Sequence, residues 1–402
     1  ATDRPVTITL QVDRKGTGEF KTYEQISVDR YASHIFDPGF EAQWIRVIVD
    51  EDCRASVSFQ FSESEYRSKE EGAELFKGLV EVGETRVQAS LLFPNASNRE
   101  LSVCSSNGST YELDHLKFSF KKLIKEARAV DCMTAANLAS QGAKVSKQNL
   151  GEKTLREFLT PKAEFSVDDA SVLLVSRENR SIVGKKGNYT ILRLPKGHPA
   201  FDQPFALGHP RMHRELESER MMANIHGTFY EVPFWIVGQA PLYTKMRPVS
   251  SHKKQISDFT TWNGLLVMGG LQQGAQSSEH IYLSKDGGAS LWLGGIDDLW
   301  KLGKPVGEGG PWKNTKVKAG EPSDPYLMTG YDQKTLVLQA DKDCKIITEI
   351  DVDHWTGFHP CKTFNLKAGE KLTYQFPKGF AAHWIRFRSN LDILASAQLT
   401  YW

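Results

Sequence analysis

No apolar run in this 402-residue chain approaches the length that crosses a membrane as a helix, and the mean hydropathy is −0.41. Membrane insertion is therefore not expected. A charge excess is missing too: 50 Lys+Arg against 49 Asp+Glu leave a net +1, so nothing points to a nucleic-acid surface. Cysteine is scarce. Cys53, Cys104, Cys132, Cys344 and Cys361 are too few and scattered for a disulfide framework or a zinc ribbon, and only Cys344 and Cys361 suggest a pair. No P-loop, dinucleotide fingerprint, G-x-S-x-G elbow or HExxH occurs, which argues against nucleotide chemistry. The first residues, ATDRP, lack the features of a signal peptide and suit a mature terminus or an arbitrary start. N-x-Ser/Thr triplets begin at Asn95, Asn107, Asn179 and Asn188 and leave the compartment weakly determined.

What is present is a duplication. Residues 31–47 (YASHIFDPGFEAQWIRV) align without gaps with 371–387 (KLTYQFPKGFAAHWIRF), matching Phe36/Phe376, Gly39/Gly379, Phe40/Phe380, Trp44/Trp384, Ile45/Ile385 and Arg46/Arg386. The match runs on to Asp52/Asp392 and Ala55/Ala395, and with a two-residue gap back to Asp13/Asp351 and Phe20/Phe358. Such self-similarity is sought first because missing it misassigns a fold. Each copy reads as β: 6–12, 45–49 and 55–61 alternate apolar and polar residues, as do 346–352, 384–388 and 395–401. Trp44 and Trp384 fit a core position, or alternatively a platform for sugar rings. A unit of this size buries too little surface alone, so the copies are expected to pack on each other or on the middle segment. The expected domains are 1–62, 63–330 and 331–402.

Helical signal in the middle is confined to 119–141 and a turn or two at 211–224. Elsewhere short strands alternate with Gly-rich turns: 172–179, 189–195, 228–237, 264–270, 280–288 and 290–303. The run IYLSKDGGASLWLGGIDDLWKLGKP has the cadence of strand, Asp-Gly hairpin and strand. The fold expected is all-β: a β-propeller-like central domain flanked by two homologous sandwich-like units, with a large double sandwich as the alternative.

The densest acid–base chemistry lies between 209 and 252, with His209, His213, His226 and His252 among Arg211, Arg214, Arg220, Arg247, Tyr230, Glu215 and Glu219. Histidine is the side chain suited to proton transfer near neutrality. Three readings stand. His209 and His213, at i and i+4, with His226, suit a metal, although Pro210 disfavours the helix. Elimination at a uronate needs a base for the C5 proton, cations for the carboxylate and an acid for the leaving oxygen; His226, Tyr230, Arg247 and His252 supply these types. The plain alternative is that they fix loops, with His226-Gly227 a turn and Tyr230 in a sheet. A second candidate is the acidic and aromatic stretch Asp297, Asp298, Trp300, Glu308, Trp312, Glu321 and Asp324, whose composition suits a sugar site. Paired carboxylates there fit a glycosidase, and Asp297-Asp298 equally fit a turn cap.

At HGTFYEVP, RPVSSHKKQISDF, LWLGGIDDLWKLGKPVGEGGPWKN and EPSDPYLMTGYD the chain resembles a group of largely uncharacterised bacterial propeller-like proteins of carbohydrate breakdown, over about 200–402. The group is similar in kind to rhamnose–glucuronate and ulvan lyases. The resemblance implies His226, Tyr230 and His252 as acid–base residues and Arg247 as a carboxylate partner, and often a structural metal. Arg211, His213, Arg220, Trp300 and Trp312 complete the expected substrate contacts. The expectation is a secreted or periplasmic enzyme acting on a uronate-containing glycan, by elimination first and hydrolysis second. It requires no cofactor, is compatible with a structural Ca²⁺ or Zn²⁺ ion, and partners neither nucleic acid nor membrane. The rival is a non-catalytic glycan-binding or assembly protein that exposes Trp44 and Trp384, or Trp300 and Trp312. An enzyme should instead gather His226, Arg247 and His252.

Overall fold

The computed structural model describes residues 1–36, 39–61, 65–68, 72, 74–94, 100–105, 109–123, 163–176, 185–186, 189–202, 213–216, 220–233, 242–354 and 357–402. These residues are all-β apart from 3-10 turns such as Ile296–Leu302.

Three four-stranded antiparallel sheets stack face to face. The first holds Ser90–Pro94, Leu101–Ser105, Thr110–Asp114 and Ser119–Lys122. The second holds Phe259–Trp262, Leu265–Met268, Ser290–Gly294 and Ile281–Leu283. The third holds His213–Leu216, Arg220–Ile225, Thr228–Val232 and Arg247–Ser251. The second sheet is apolar on both faces, as a sheet buried on both sides must be. Trp262, Val267, Leu291 and Leu293 pack with Leu92, Val103 and Tyr111 of the first sheet. Phe259, Leu266, Met268 and Trp292 pack with Leu216, Met222 and Phe229 of the third. Asp258 ties the stack, accepting from the Leu92 N–H at 2.8 Å.

The third sheet turns its other face, with Met221, Ala223, Ile225, Tyr230 and Val232, into the largest core. That core belongs to a sandwich. One sheet runs His359–Leu366, Cys344–Asp351, Trp384–Ser389, Tyr326–Leu327, Tyr189–Leu194, Val172–Ser176 and Ala163–Val167. The other runs Gly307–Val317, Ile393–Tyr401, Lys334–Ala340 and Lys371–Gln375. The C-terminal sandwich thus recruits strands from both sides of the boundary expected at 330. The sheets stack on one another, but no sheet closes on itself among the described residues, so the propeller is not confirmed.

The duplication is structural as well. The N-terminal sheet orders Lys21–Val28, Val6–Asp13 and Trp44–Val49; its C-terminal counterpart orders His359–Leu366, Cys344–Asp351 and Trp384–Ser389. Asp13 pairs with Trp44 and Asp351 with Trp384, and the register shift at Leu10/Gln11 recurs at Thr348/Glu349. Arg46 Nε donates to Gln11 at 2.7 Å with its guanidinium 4.2 Å from the Phe20 ring. Arg386 Nε likewise donates to Glu349 at 2.6 Å, 4.1 Å from the Phe358 ring. The copies meet where the Tyr31 ring stacks on His359 with centroids 4.4 Å apart.

Several local expectations are corrected. Residues 55–61 form no strand beyond an isolated bridge at Ala55, whereas 395–401 lie within Ile393–Tyr401. The helix expected at 211–224 gives way to strands His213–Leu216 and Arg220–Ile225. Of 119–141, Ser119–Lys122 is strand and 124–141 lies outside the described residues. Cys344 and Cys361 are both free.

Candidate functional site

The strand pair Arg220–Ile225 and Thr228–Val232 is joined by two residues, His226 (φ 52°) and Gly227 (φ 78°), as a type I′ turn requires. His226 Nδ1 accepts from the Gly197 N–H at 3.0 Å, leaving Nε2 to donate to Asp202 at 2.8 Å. His252 Nδ1 accepts from the Lys254 N–H at 3.1 Å, and Nε2 donates to Asn224 at 3.1 Å. Burial pushes the His252 imidazole down to about 3, with Lys254 adding to it. Burial also lowers His226, against the pull of Asp202. The two rings flank Phe201, with centroids 5.8 and 6.0 Å from it. They are neighbours, but every ring nitrogen is occupied within the protein.

The other expected residues disperse. Tyr230 is fully buried, its hydroxyl 3.3 Å from that of Tyr331, and burial pushes its phenol up to about 12. Arg247 pairs across the ladder with Glu231 while Thr228 pairs with Ser251, which separates Arg247 from the histidine end by roughly 10 Å along the strand. Trp312 is 5% exposed and packs on Phe387 in the sandwich core; it is not a surface platform. Trp300 is half-buried against the core of the stacked sheets. Asp298 caps its turn by accepting from the Gly295 N–H at 2.7 Å, so the capping alternative describes it. Glu308 is exposed, and Asp324 pairs with Arg193. His213 and Arg220 are placed in their strands, and their side chains lie outside the described residues, as do His209 and Arg211 altogether.

A different cluster stands out when the two copies are compared. In the first, the buried Asp13 opens the loop DRKGTGEF, and its oxygens accept from the N–H groups of Lys15 at 3.0 Å, Gly16 at 2.8 Å and Gly18 at 2.6 Å. Burial raises its carboxyl, but these donors outweigh it and hold it below the usual range. In the second copy the loop reads DVDHWTGF. Asp351 is 0% exposed, and among the described residues neither of its oxygens has a hydrogen-bond partner. Burial, then the charge of Asp353, pushes it up to about 7; the nearby N–H groups of His354 and Asp353 pull the other way without completing a bond. An unpartnered buried carboxylate is expensive and stays neutral where it can.

Beside it stands His354, at the position of Gly16 and in the same left-handed backbone conformation: φ is 61° against 73°. A non-glycine residue there stores about 1–2 kcal/mol of strain, a feature that clusters at functional sites. The His354 and His383 rings lie 5.4 Å apart, edge to face. His383 Nε2 donates to the Met246 carbonyl at 3.1 Å. Burial and Lys245 push His354 down to about 4; burial, His354, Arg247 and Lys245 push His383 down to about 3. Lys245 is half-buried and Arg247 exposed. Of the expected set, Arg247 is near enough to His383 for its charge to help lower that imidazole. Residues 351–354 and 383 escaped sequence reasoning, although the change from Gly16 to His354 within the repeat was visible. Among the described residues no group of three or more His, Cys, Asp or Glu is placed to hold a metal ion.

No family model matches the chain, and no curated protein matches it. A solved structure described as a glycoside hydrolase is similar over 77% of this chain and 82% of its own, at 8% identity and a TM-score of 0.15. Agreement that low carries no argument about fold or activity.

Proposed function

We infer that this protein is a carbohydrate-active enzyme of the cell exterior or periplasm that cleaves an acidic, uronate-containing glycan by β-elimination, at the cluster of Asp351, His354 and His383 with Lys245 and Arg247. The observation that carries this reading is the unpartnered carboxylate of Asp351, set against the fully partnered Asp13 at the same place in the other copy. A general acid–base group works best when its pKa lies near the operating pH, and Asp351 is held at about 7.

Elimination needs no co-reactant. The base removes the C5 proton, the C–H electron pair becomes the C4=C5 double bond, and the C4–O4 bond breaks with its pair on oxygen, which takes up a proton. Lys245 and Arg247 offset the charge that develops on the uronate carboxylate. His354, half-buried and neutral at working pH, takes up the C5 proton, and Asp351, buried in the same cluster, is the group whose own protonation changes near neutrality. The stacked sheets act as the rigid support, read here as blades of a propeller-like stack. His226 and His252 then serve as braces of that support.

One observation favours hydrolysis as a second reading. Asp353 raises the Asp351 carboxyl, and two neighbouring carboxyl groups are what an acid–nucleophile pair is built from. The test is incubation with polygalacturonate, alginate and ulvan, following the ultraviolet absorbance of the unsaturated uronate and, separately, new reducing ends. Absorbance that disappears in Asp351→Asn and His354→Gln is the expected result. Reducing ends without absorbance would move the chemistry to hydrolysis, and neither signal on any uronate polymer would sink the reading.

A further inference from the structure

The copy that lacks the acid–base cluster has changed in the opposite direction. Trp44 and Trp384 hold the same register position, yet Trp384 is 0% exposed, with its indole N–H donating to the Thr244 carbonyl at 2.8 Å, while Trp44 is 63% exposed. Nothing described covers the face on which Trp44 stands. Strand alternation puts Arg46 and Ile48 on that face, whereas Val47 and Val49 pack beneath with Val6, Ile8 and Leu10. Gln11 and Thr9 lie opposite Arg46 and Ile48, and they bond onward to Thr22 and Gln25 at 3.4 and 3.3 Å. The face is therefore a sheet surface of one exposed indole, one guanidinium resting on the Phe20 ring with its Nε engaged by Gln11, and a row of amides and hydroxyls. At its edge the loop bears exposed Arg14 and Lys15 where the other copy has Val352 and Asp353.

We propose that this face is an accessory binding site for an acidic oligosaccharide, with Trp44 stacking on a sugar ring and Arg46, Arg14 and Lys15 meeting uronate carboxylates. Charge complementarity selects the ligand: Asp13, across the ladder from the indole, is buried and spoken for by backbone donors. The strand and its loops carry the exposed cations Arg46, Lys15 and Arg14, the last donating to the Glu41 carbonyl at 3.1 Å, against the exposed carboxylates Glu19 and Glu41. An aromatic ring gives a flat apolar partner for a sugar, and Arg gives the bidentate donor that suits a carboxylate. The inference is one of binding and assigns no turnover to this face. The inference rests on the acidic-glycan reading above, but its test is separable from it.

Affinity electrophoresis through gels containing polygalacturonate, alginate, ulvan or neutral dextran, on the full chain, reads binding independently of turnover. The wild type should be retarded by at least one acidic polymer and not by dextran. Trp44→Ala should weaken that retardation about tenfold, which corresponds to about 1.4 kcal/mol. Arg46→Gln should weaken it less and flatten its salt dependence. Both should leave cleavage of a short oligosaccharide intact. Unchanged retardation in Trp44→Ala overturns the inference even if Asp351→Asn abolishes cleavage. Retardation by dextran that depends on Trp44 overturns the ligand class. If no acidic polymer retards the wild type, this site falls, while any cleavage observed keeps the other reading standing. Because Trp44 is exposed, an unaltered melting curve in Trp44→Ala excludes misfolding as the cause of lost binding.

Discussion

Asp13 and Asp351 stand at the same register position in two copies of one sheet, each across the ladder from a tryptophan, but only Asp13 has its oxygens filled by backbone donors. The molecule carries its own control: the first copy displays what this aspartate does when its task is to hold a loop. In the second a neighbouring acid is added, burial outweighs the nearby N–H groups of His354 and Asp353, and the carboxyl moves to about 7.

That difference sets a pH dependence whose sign follows from proton binding. Asp351 titrates near 4 in the unfolded chain and at about 7 when folded. Between those values the folded state keeps a proton that the unfolded chain has lost, so stability contributed by this group falls as pH rises through the interval and levels off above it. Asp351→Asn should therefore unfold like the wild type near pH 4 and be more stable at pH 8, by up to about 4 kcal/mol. His354 and His383, depressed to about 4 and 3, work in the opposite sense below their unfolded value, but they are common to both proteins and drop out of the difference. Denaturant titrations at both pH values check this; an equal gap at the two would mean Asp351 is ionised throughout.

The two repeat tryptophans should part company in stability. Trp384→Ala removes a fully buried ring and orphans the Thr244 carbonyl, with a loss of about 3–5 kcal/mol. Trp44→Ala removes an exposed ring and should fall within about 0.5 kcal/mol of the wild type. Paired urea melts decide it.

His252→Ala should behave as a structural lesion. It leaves the Lys254 N–H and the Asn224 amide without partners inside the fold, a loss of about 1–3 kcal/mol. Turnover per folded molecule, measured well below the melting temperature, should stay unchanged. A loss of turnover in a variant that melts normally would return His252 to the chemistry.

The strands of each copy were legible because apolar alternation marks a half-buried sheet whatever surrounds it. Residues 55–61 carry the same alternation and form no strand: the 395–401 copy is held between Gly307–Val317 and Lys334–Ala340, for which the first copy has no counterpart. Trp312 was misread for the opposite reason. Its GEGGPWKN context looks like a loop, yet a Cβ on Gly310 would sit 1.9 Å from the Ala397 carbonyl, so the glycine serves close strand approach and not a turn. At 211–224 the charge spacing suggested a helix, whereas the adjacent Met221 and Met222 serve the cores on opposite faces of one sheet. The cluster itself joins residues 245–247, 351–354 and 383, which only the ladder between Cys344–Asp351 and Trp384–Ser389 and the packing of 243–246 bring together. No local pattern announces such a site.

His354 offers the sharpest separation of function from stability. Its backbone lies in the left-handed region that Gly16 adopts in the other copy, and the substitution His354→Gly relieves strain of about 1–2 kcal/mol while giving back part of it as unfolded-chain entropy. The variant should be as stable as the wild type or more so by up to about 1 kcal/mol. It should also lose cleavage by orders of magnitude, since the proton-exchanging imidazole is gone. A residue kept for packing alone would show the reverse: His354→Gly would lower the melting temperature and spare the rate. Calorimetry and initial rates on the same preparation distinguish the two, and His354→Asn, which tolerates the same φ, repeats the comparison without the added flexibility of glycine.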